Sequence, residues 1–327
     1  MRRAERSDAR REKEDENMTQ LSRLGLGCMG MNMSNADRSL ETIHYALDQG
    51  INLFNTGDFY GGGDSEMILR EAFRGVARDK YWLNVKFGIL TRPGGGIYGL
   101  DVKPFNIKAH LTYDLHRLGV DYIDLYEPAR LDEDIPVEDV IGELADLVKE
   151  GYIREIGLTQ VTAERIDRAA KVHPIRMLEV DYSIANRVIE TDGVLETARR
   201  NGIDLLAFGI LSHGVLTETE AGDRASTRRG ISPEEKTSLL REVREIAAEK
   251  QTTLSNLMQA YVYAKNPDMR AIVGTTRTAH LQEAIQALQL TLTDEEVARV
   301  EAAFPAERFQ GMGTRNPIFQ DGRIVGG

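Results

Sequence analysis

Short runs rich in β-branched and aromatic residues recur along this chain, each followed by a stretch of helical periodicity, and that alternation leaves few folds open. The strand-like runs cover residues 24–28, 51–55, 82–86, 122–126, 153–158, 177–180, 203–208 and 271–274. Amphipathic helical patterns follow over 38–49, 65–73, 106–118, 137–149, 163–171, 193–200, 234–265 and 278–288. Helices that carry the chain back between strands make neighbouring strands parallel. Eight strands with eight crossovers is the count of a closed (β/α)8 TIM barrel. Gly50, Gly119, Gly151 and Gly202 each stand between a helical stretch and a strand, where a left-handed helix cap fits. An open doubly wound sheet is the competing α/β fold, but the clusters Gly61–Gly63 and Gly94–Gly96 do not follow its G-x-G-x-x-G turn. The α/β barrel is the expected fold.

Charge and cysteine usage narrow the function. Lys and Arg total 41 against 52 Asp and Glu in 327 residues, a net charge of −11, which argues against a general nucleic-acid or anionic-membrane surface. The single cysteine, Cys28, rules out an intrachain disulfide and reads as a buried structural thiol. The sequence holds no apolar stretch of bilayer-spanning length. Residues 1–17 read as a disordered, highly charged extension, too acidic for a transit peptide, and the cytoplasm is the default location. Residues 18–327 read as one barrel domain, because no Pro- or Ser-rich linker interrupts them, with a C-terminal tail near the barrel mouth. The six histidines show no ligand spacing at strand ends, so no metal is expected, and the sequence leaves homo-oligomerisation open.

Functional residues of such barrels sit at the C-terminal ends of the strands. Those ends carry Asn55, Asp58 and Tyr60; Lys86; Glu127 and Arg130; Thr159 and Gln160; Glu179 and Tyr182; and the run Gly274-Thr275-Thr276-Arg277. Lys86 is the most informative, because a lysine closing a buried strand is costly unless it is paired or used. An ammonium beside the phenol of Tyr60 would lower that phenol's pKa and make it a usable proton donor.

Several runs are similar to blocks of the aldo-keto reductase family. Gly50-Ile51-Asn52-Leu53-Phe54-Asn55-Thr56-Gly57-Asp58-Phe59-Tyr60-Gly61 resembles the family's G-I-x-x-x-D-T-A-x-x-Y-G segment, and Asn84-Val85-Lys86-Phe87-Gly88 resembles its lysine strand. Runs 118–126 and 147–159 resemble two more blocks, and 274–283 resembles the adenosine-phosphate site. The resemblance implies hydride transfer from NADPH to a small carbonyl or conjugated carbonyl, with Tyr60 as acid and Lys86 tuning it. It places Asn55 where the family has aspartate and Ala129 where it has histidine. It also implies cofactor contacts from Thr159, Gln160, Glu179, Phe208, Gly274, Thr275, Arg277 and Glu283, with Glu179 in a glutamine's place and Ala284 in an asparagine's. Glu127 shares a strand face with Ala129, so it is a candidate fourth catalytic residue, either restoring a carboxylate beside Lys86 or facing substrate, and Glu179 is a candidate for the same role. The altered positions keep two alternatives open: a lyase or isomerase working from the barrel mouth, and a weakly catalytic NADPH-binding module.

Overall fold

The computed structural model describes residues 20–228, 230–309 and 317–326. Eight parallel strands close on themselves: β1 (Leu24–Gly27), β2 (Leu53–Gly57), β3 (Trp82–Phe87), β4 (Ile123–Pro128), β5 (Ile153–Thr159), β6 (Met177–Asp181), β7 (Asp204–Phe208) and β8 (Arg270–Gly274). Each strand pairs with its sequence neighbours and β8 pairs with β1, so the sheet is an (β/α)8 barrel without edges. The extension 1–17 lies outside the described residues.

The crossover helices are α1 (Ala36–Asp48), α2 (Asp64–Ala72), α3 (Pro104–Leu118), α4 (Val137–Glu150), α5 (Ala163–Val172) and α6 (Val194–Arg200). Between β7 and β8 lie α7 (Glu220–Arg228), α8 (Pro233–Glu249) and α9 (Leu254–Lys265), and α10 (Thr278–Ala287) and α11 (Asp294–Ala303) follow β8. The four junction glycines all have positive φ, between 67° and 84°, and end their helices. The helix expected over 234–265 is two helices. Gln251 turns the backbone to φ 52° and the Thr253 side chain caps a new N-terminus. α11 was not expected, although the Thr293–Glu296 capping box at its start is legible in the sequence.

The third difference is a small antiparallel sheet. Strands 89–91 and 97–100, joined through Gly94, Gly95 and Gly96, form a hairpin after β3, and segments 318–320 and 323–326 add to it. Its strands are three or four residues long, too short for a periodicity signal.

Inside the barrel the side chains stack in layers. Leu53, Trp82, Leu125, Met177, Leu206 and Ile272 form one apolar cluster, each from a different strand. Successive inward residues on a strand are two apart. Two positions further along, these strands present Asn55, Asn84, Glu127, Glu179, Phe208 and Gly274. An apolar plug therefore closes the barrel beneath a largely polar layer, and that layer is the floor of the functional site.

Candidate active site

At the C-terminal mouth a cavity of about 520 Å³ is lined by residues from all eight strand ends or the loops after them, among them Asn55, Tyr60, Lys86, Thr159, Glu179 and Phe208. The register sets their order: Asn55 stands beside Asn84, Lys86 beside Glu127, and Thr159 beside Glu179.

Lys86 is the centre of this arrangement. Its side chain is only 4% exposed, and its Nζ donates to Asn55 Oδ1 at 2.6 Å and to the two Glu179 oxygens at 3.1 and 3.0 Å. Asn55 Nδ2 in turn donates to Glu179 Oε2 at 2.7 Å, which fixes which way the amide faces. Burial alone would push the lysine toward its neutral form. The Glu179 charge overcomes that and holds the amine above its ordinary range, so it stays an ammonium.

Tyr60 reaches this ammonium from the loop after β2, with the Lys86 Nζ 5.5 Å from the centre of its ring and the Phe59 ring packed edge-on at 4.6 Å. The lowered phenol pKa expected from the sequence is not what results. Burial raises it, Lys86 pulls it down, and Glu179 pushes it up again, leaving the phenol above its usual value of 10.0. The carboxylate that neutralises Lys86 also weakens the lysine's effect on the phenol. Tyr60 is therefore a neutral O–H donor at physiological pH.

Glu127 sits apart. It is fully buried, its Oε2 lies 2.8 Å from where a Cβ on Gly157 would be, and it is not among the residues lining the cavity. Neither oxygen makes a hydrogen bond of ordinary geometry among the described residues, although the Thr159 and Glu179 side chains lie close enough to act on it. Burial, and then the Glu179 charge, drive its pKa well above the usual carboxylate range, which favours the neutral acid. The carboxylate in contact with Lys86 is Glu179, from β6, and not Glu127 from the adjacent strand. Asn84, whose side-chain amide is also buried without a partner, belongs to the same layer. Sequence reasoning passed over it; its position two before Lys86 on β3 was the available signal.

The other expected residues divide into two groups. Thr159, Glu179, Phe208 and Gly274 line the cavity, and the buried Thr159 hydroxyl lies close to Glu127. Gln160 does not line it; its Oε1 accepts from the Asp181 backbone N–H at 2.8 Å, and its own φ is 53°. Thr275 accepts from the Arg277 N–H at 3.0 Å and so shapes the turn into α10, while Arg277 and Glu283 are exposed. Asp58 turns away from the cavity to His110 Nδ1 at 3.1 Å and the Gly88 N–H at 3.0 Å, and Tyr182 donates to Glu190 at 2.5 Å. Cys28 is a buried thiol pushed up to about 12, as a structural cysteine should be. No group of metal-ligating side chains occurs among the described residues.

A sequence profile described as the Aldo/keto reductase family matches residues 23–304 of this chain. The chain belongs to the aldo/keto reductase family. Among its relatives is a probable aldo-keto reductase of Glycine max, 29% identical over 300 residues, covering 88% of this chain and 86% of the relative. The barrel superposes on a glycerol dehydrogenase from Gluconobacter oxydans with a TM-score of 0.79 at 26% identity, over 92% of this chain and 94% of the other. A thermostable aldo-keto reductase crystallised with the inhibitor epalrestat gives a TM-score of 0.72 at 26% identity, over 86% and 95% of the two chains. An aldo/keto reductase of Klebsiella pneumoniae in complex with NADP and acetate shares the fold, with a TM-score of 0.70 at 22% identity over 87% and 92%. This protein is accordingly an oxidoreductase of that family, and none of its described helices is long and apolar enough to cross a membrane.

Proposed function

We propose that the chain is an NADPH-dependent carbonyl reductase acting on a small aldehyde, ketone or conjugated carbonyl, with Tyr60 as the proton donor. The observation that carries this reading is the buried Lys86 ammonium beside Tyr60 on the wall of the mouth cavity. A fully desolvated lysine paired on one side and set against a phenol on the other suits stabilisation of charge that develops on a substrate oxygen.

The residues around the cavity fit the cofactor. The Thr159 hydroxyl on the cavity wall is placed to hydrogen-bond a carboxamide, and the Phe208 ring can lie against a nicotinamide. The exposed Arg277 at the start of α10 suits a 2′-phosphate, with Thr275 and Glu283 near the adenosine end. NADPH held there supplies the hydride. Tyr60 gives its proton to the carbonyl oxygen, and Lys86 stabilises the phenolate left behind. Relative to the family pattern, the negative charge opposite Lys86 has moved strands: Asn55 keeps the acceptor oxygen, and Glu179 brings the carboxylate. Asn55 and Glu179 thus act together as the lysine's partner, while burial favours the neutral acid of Glu127 in the same layer.

The test is a titration with NADPH followed by the fluorescence of Trp82 on β3, run beside initial rates on an aldehyde panel. Saturable quenching with NADPH-dependent reduction is expected. Tight binding without turnover would make the chain a cofactor-binding module, and no binding at all would redirect attention to a cofactor-independent lyase or isomerase.

A further inference from the structure

Among the described residues, Lys86, Arg130 and the imidazole of His213 line the mouth cavity. Lys86 is held by Glu179 and Asn55. His213 Nε2 lies 2.9 Å from Asp181 Oδ2. Arg130 forms no ion pair among the described residues. Its Nη1 donates to the carbonyl of its own neighbour Ala129, and its Nε is buried with no partner. A guanidinium carries five N–H donors in a rigid planar fork, the shape that grips a carboxylate through two parallel bonds. An unpaired charge withdrawn from water is unfavourable unless something supplies its partner. Beside it, Ala129 contributes only a methyl group, so the wall next to the guanidinium has no competing side-chain donor. Much of the remaining wall is apolar, including Phe59, Ile89, Ile97 and Leu211.

We propose that Arg130 is an anion subsite, and that the substrate is a carbonyl compound bearing a carboxylate, which Arg130 binds while the carbonyl meets Tyr60. This rests on the reductase reading above and adds the substrate class to it. Glu179 and Asp181 act on Arg130 through their fields, but Glu179 is paired with Lys86 and Asp181 is in contact with His213. The rival role, a guanidinium that merely balances those two acids from a distance, is an outcome of the test.

The probes are para-formylbenzoate and its methyl ester, which differ chiefly in charge. Initial rates of NADPH oxidation are measured for both with the wild type, Arg130→Lys and Arg130→Met. The wild type should favour the anionic aldehyde in kcat/KM. That preference should fall roughly 10- to 100-fold in Arg130→Met, mainly through KM, with Arg130→Lys between because it keeps the charge and loses the fork. A wild type that does not distinguish the two aldehydes, or a preference retained in Arg130→Met, overturns the subsite while leaving carbonyl reduction intact. Calorimetric binding of benzoate and benzamide to the NADP⁺-saturated protein needs no turnover. Benzoate favoured by the wild type and weakened by Arg130→Met supports the subsite even if no aldehyde is reduced, in which case only the reductase reading fails. Equal binding of the two overturns it.

Discussion

The division of labour between Asn55 and Glu179 makes a quantitative prediction about Glu179→Gln. Both partners of the Lys86–Glu179 pair are at most 5% exposed, and Nζ contacts both carboxylate oxygens within 3.1 Å. Removing one charge from such a pair costs about 3–5 kcal/mol, because the other is stranded in a poor dielectric. Two responses hold the loss near the lower end. Glu127, whose elevated pKa owes much to the Glu179 charge, can ionise in its place, and Lys86 can give up its proton. A loss of about 3 kcal/mol corresponds to a fall in Tm of roughly 4 °C for a chain of this size. Because Asn55 Oδ1 is 2.6 Å from the same ammonium, Asn55→Asp would place a carboxylate on it from the other side. The double variant Asn55→Asp/Glu179→Gln should therefore regain the stability lost in Glu179→Gln, to within about 1 kcal/mol of the parent, with a coupling energy of at least about 2 kcal/mol, because Asn55→Asp alone sets a carboxylate against Glu179. Urea and thermal unfolding of the four proteins measure this directly, and NADPH oxidation shows whether turnover returns with the charge. If the two substitutions are additive, the lysine does not respond to charge alone and the relocation argument is wrong.

Three further outcomes follow from the same geometry. Tyr60→Phe should lower the turnover number about 10²- to 10⁴-fold with little change in NADPH binding; because the phenol is raised above 10.0, the rate of carbonyl reduction should show no basic limb from Tyr60 below about pH 10. Glu66, buried against Arg117 and close to Asp58 and Asp114, is raised from 4.5 to about 7, mainly by burial. The folded state therefore keeps a proton that the unfolded chain releases. This contribution is complete below about pH 4.5 and is lost as pH rises through 7, amounting to about 3 kcal/mol at about 1.4 kcal/mol per pH unit. Urea midpoints across this range should slope downward for the parent and flatten in Glu66→Gln; an unchanged slope would refute the assignment. Gly157→Ala puts a methyl 2.8 Å from Glu127 Oε2 and 3.0 Å from Leu125 Cδ2 inside the barrel, and should destabilise by about 1–3 kcal/mol in denaturant titration. A stability equal to the parent's would mean the interior has slack at this layer.

The sequence by itself determined the barrel. Eight strand-like runs separated by amphipathic helices define a parallel closed sheet through local periodicity and junction glycines, and both signals survive in a single chain because they depend on neighbours in sequence. It also nominated Tyr60 and Lys86, since a lysine at the end of a buried strand is conspicuous without any coordinates. It could not say which carboxylate faces that lysine. Glu127 and Glu179 lie 41 and 93 residues beyond Lys86, and both are candidates by parity along their strands. Strand parity gives the face but not the height or the rotamer, and those depend on barrel stagger and side-chain packing. Only the tertiary structure brought Glu179 onto the ammonium, left Glu127 away from it with its pKa raised, and showed the net effect on the Tyr60 phenol, because burial and the fields of residues distant in sequence are properties of the assembled interior. The short hairpin strands and the break after α8 escaped for the opposite reason: they are set by a few φ angles and caps, with too few residues to leave a period.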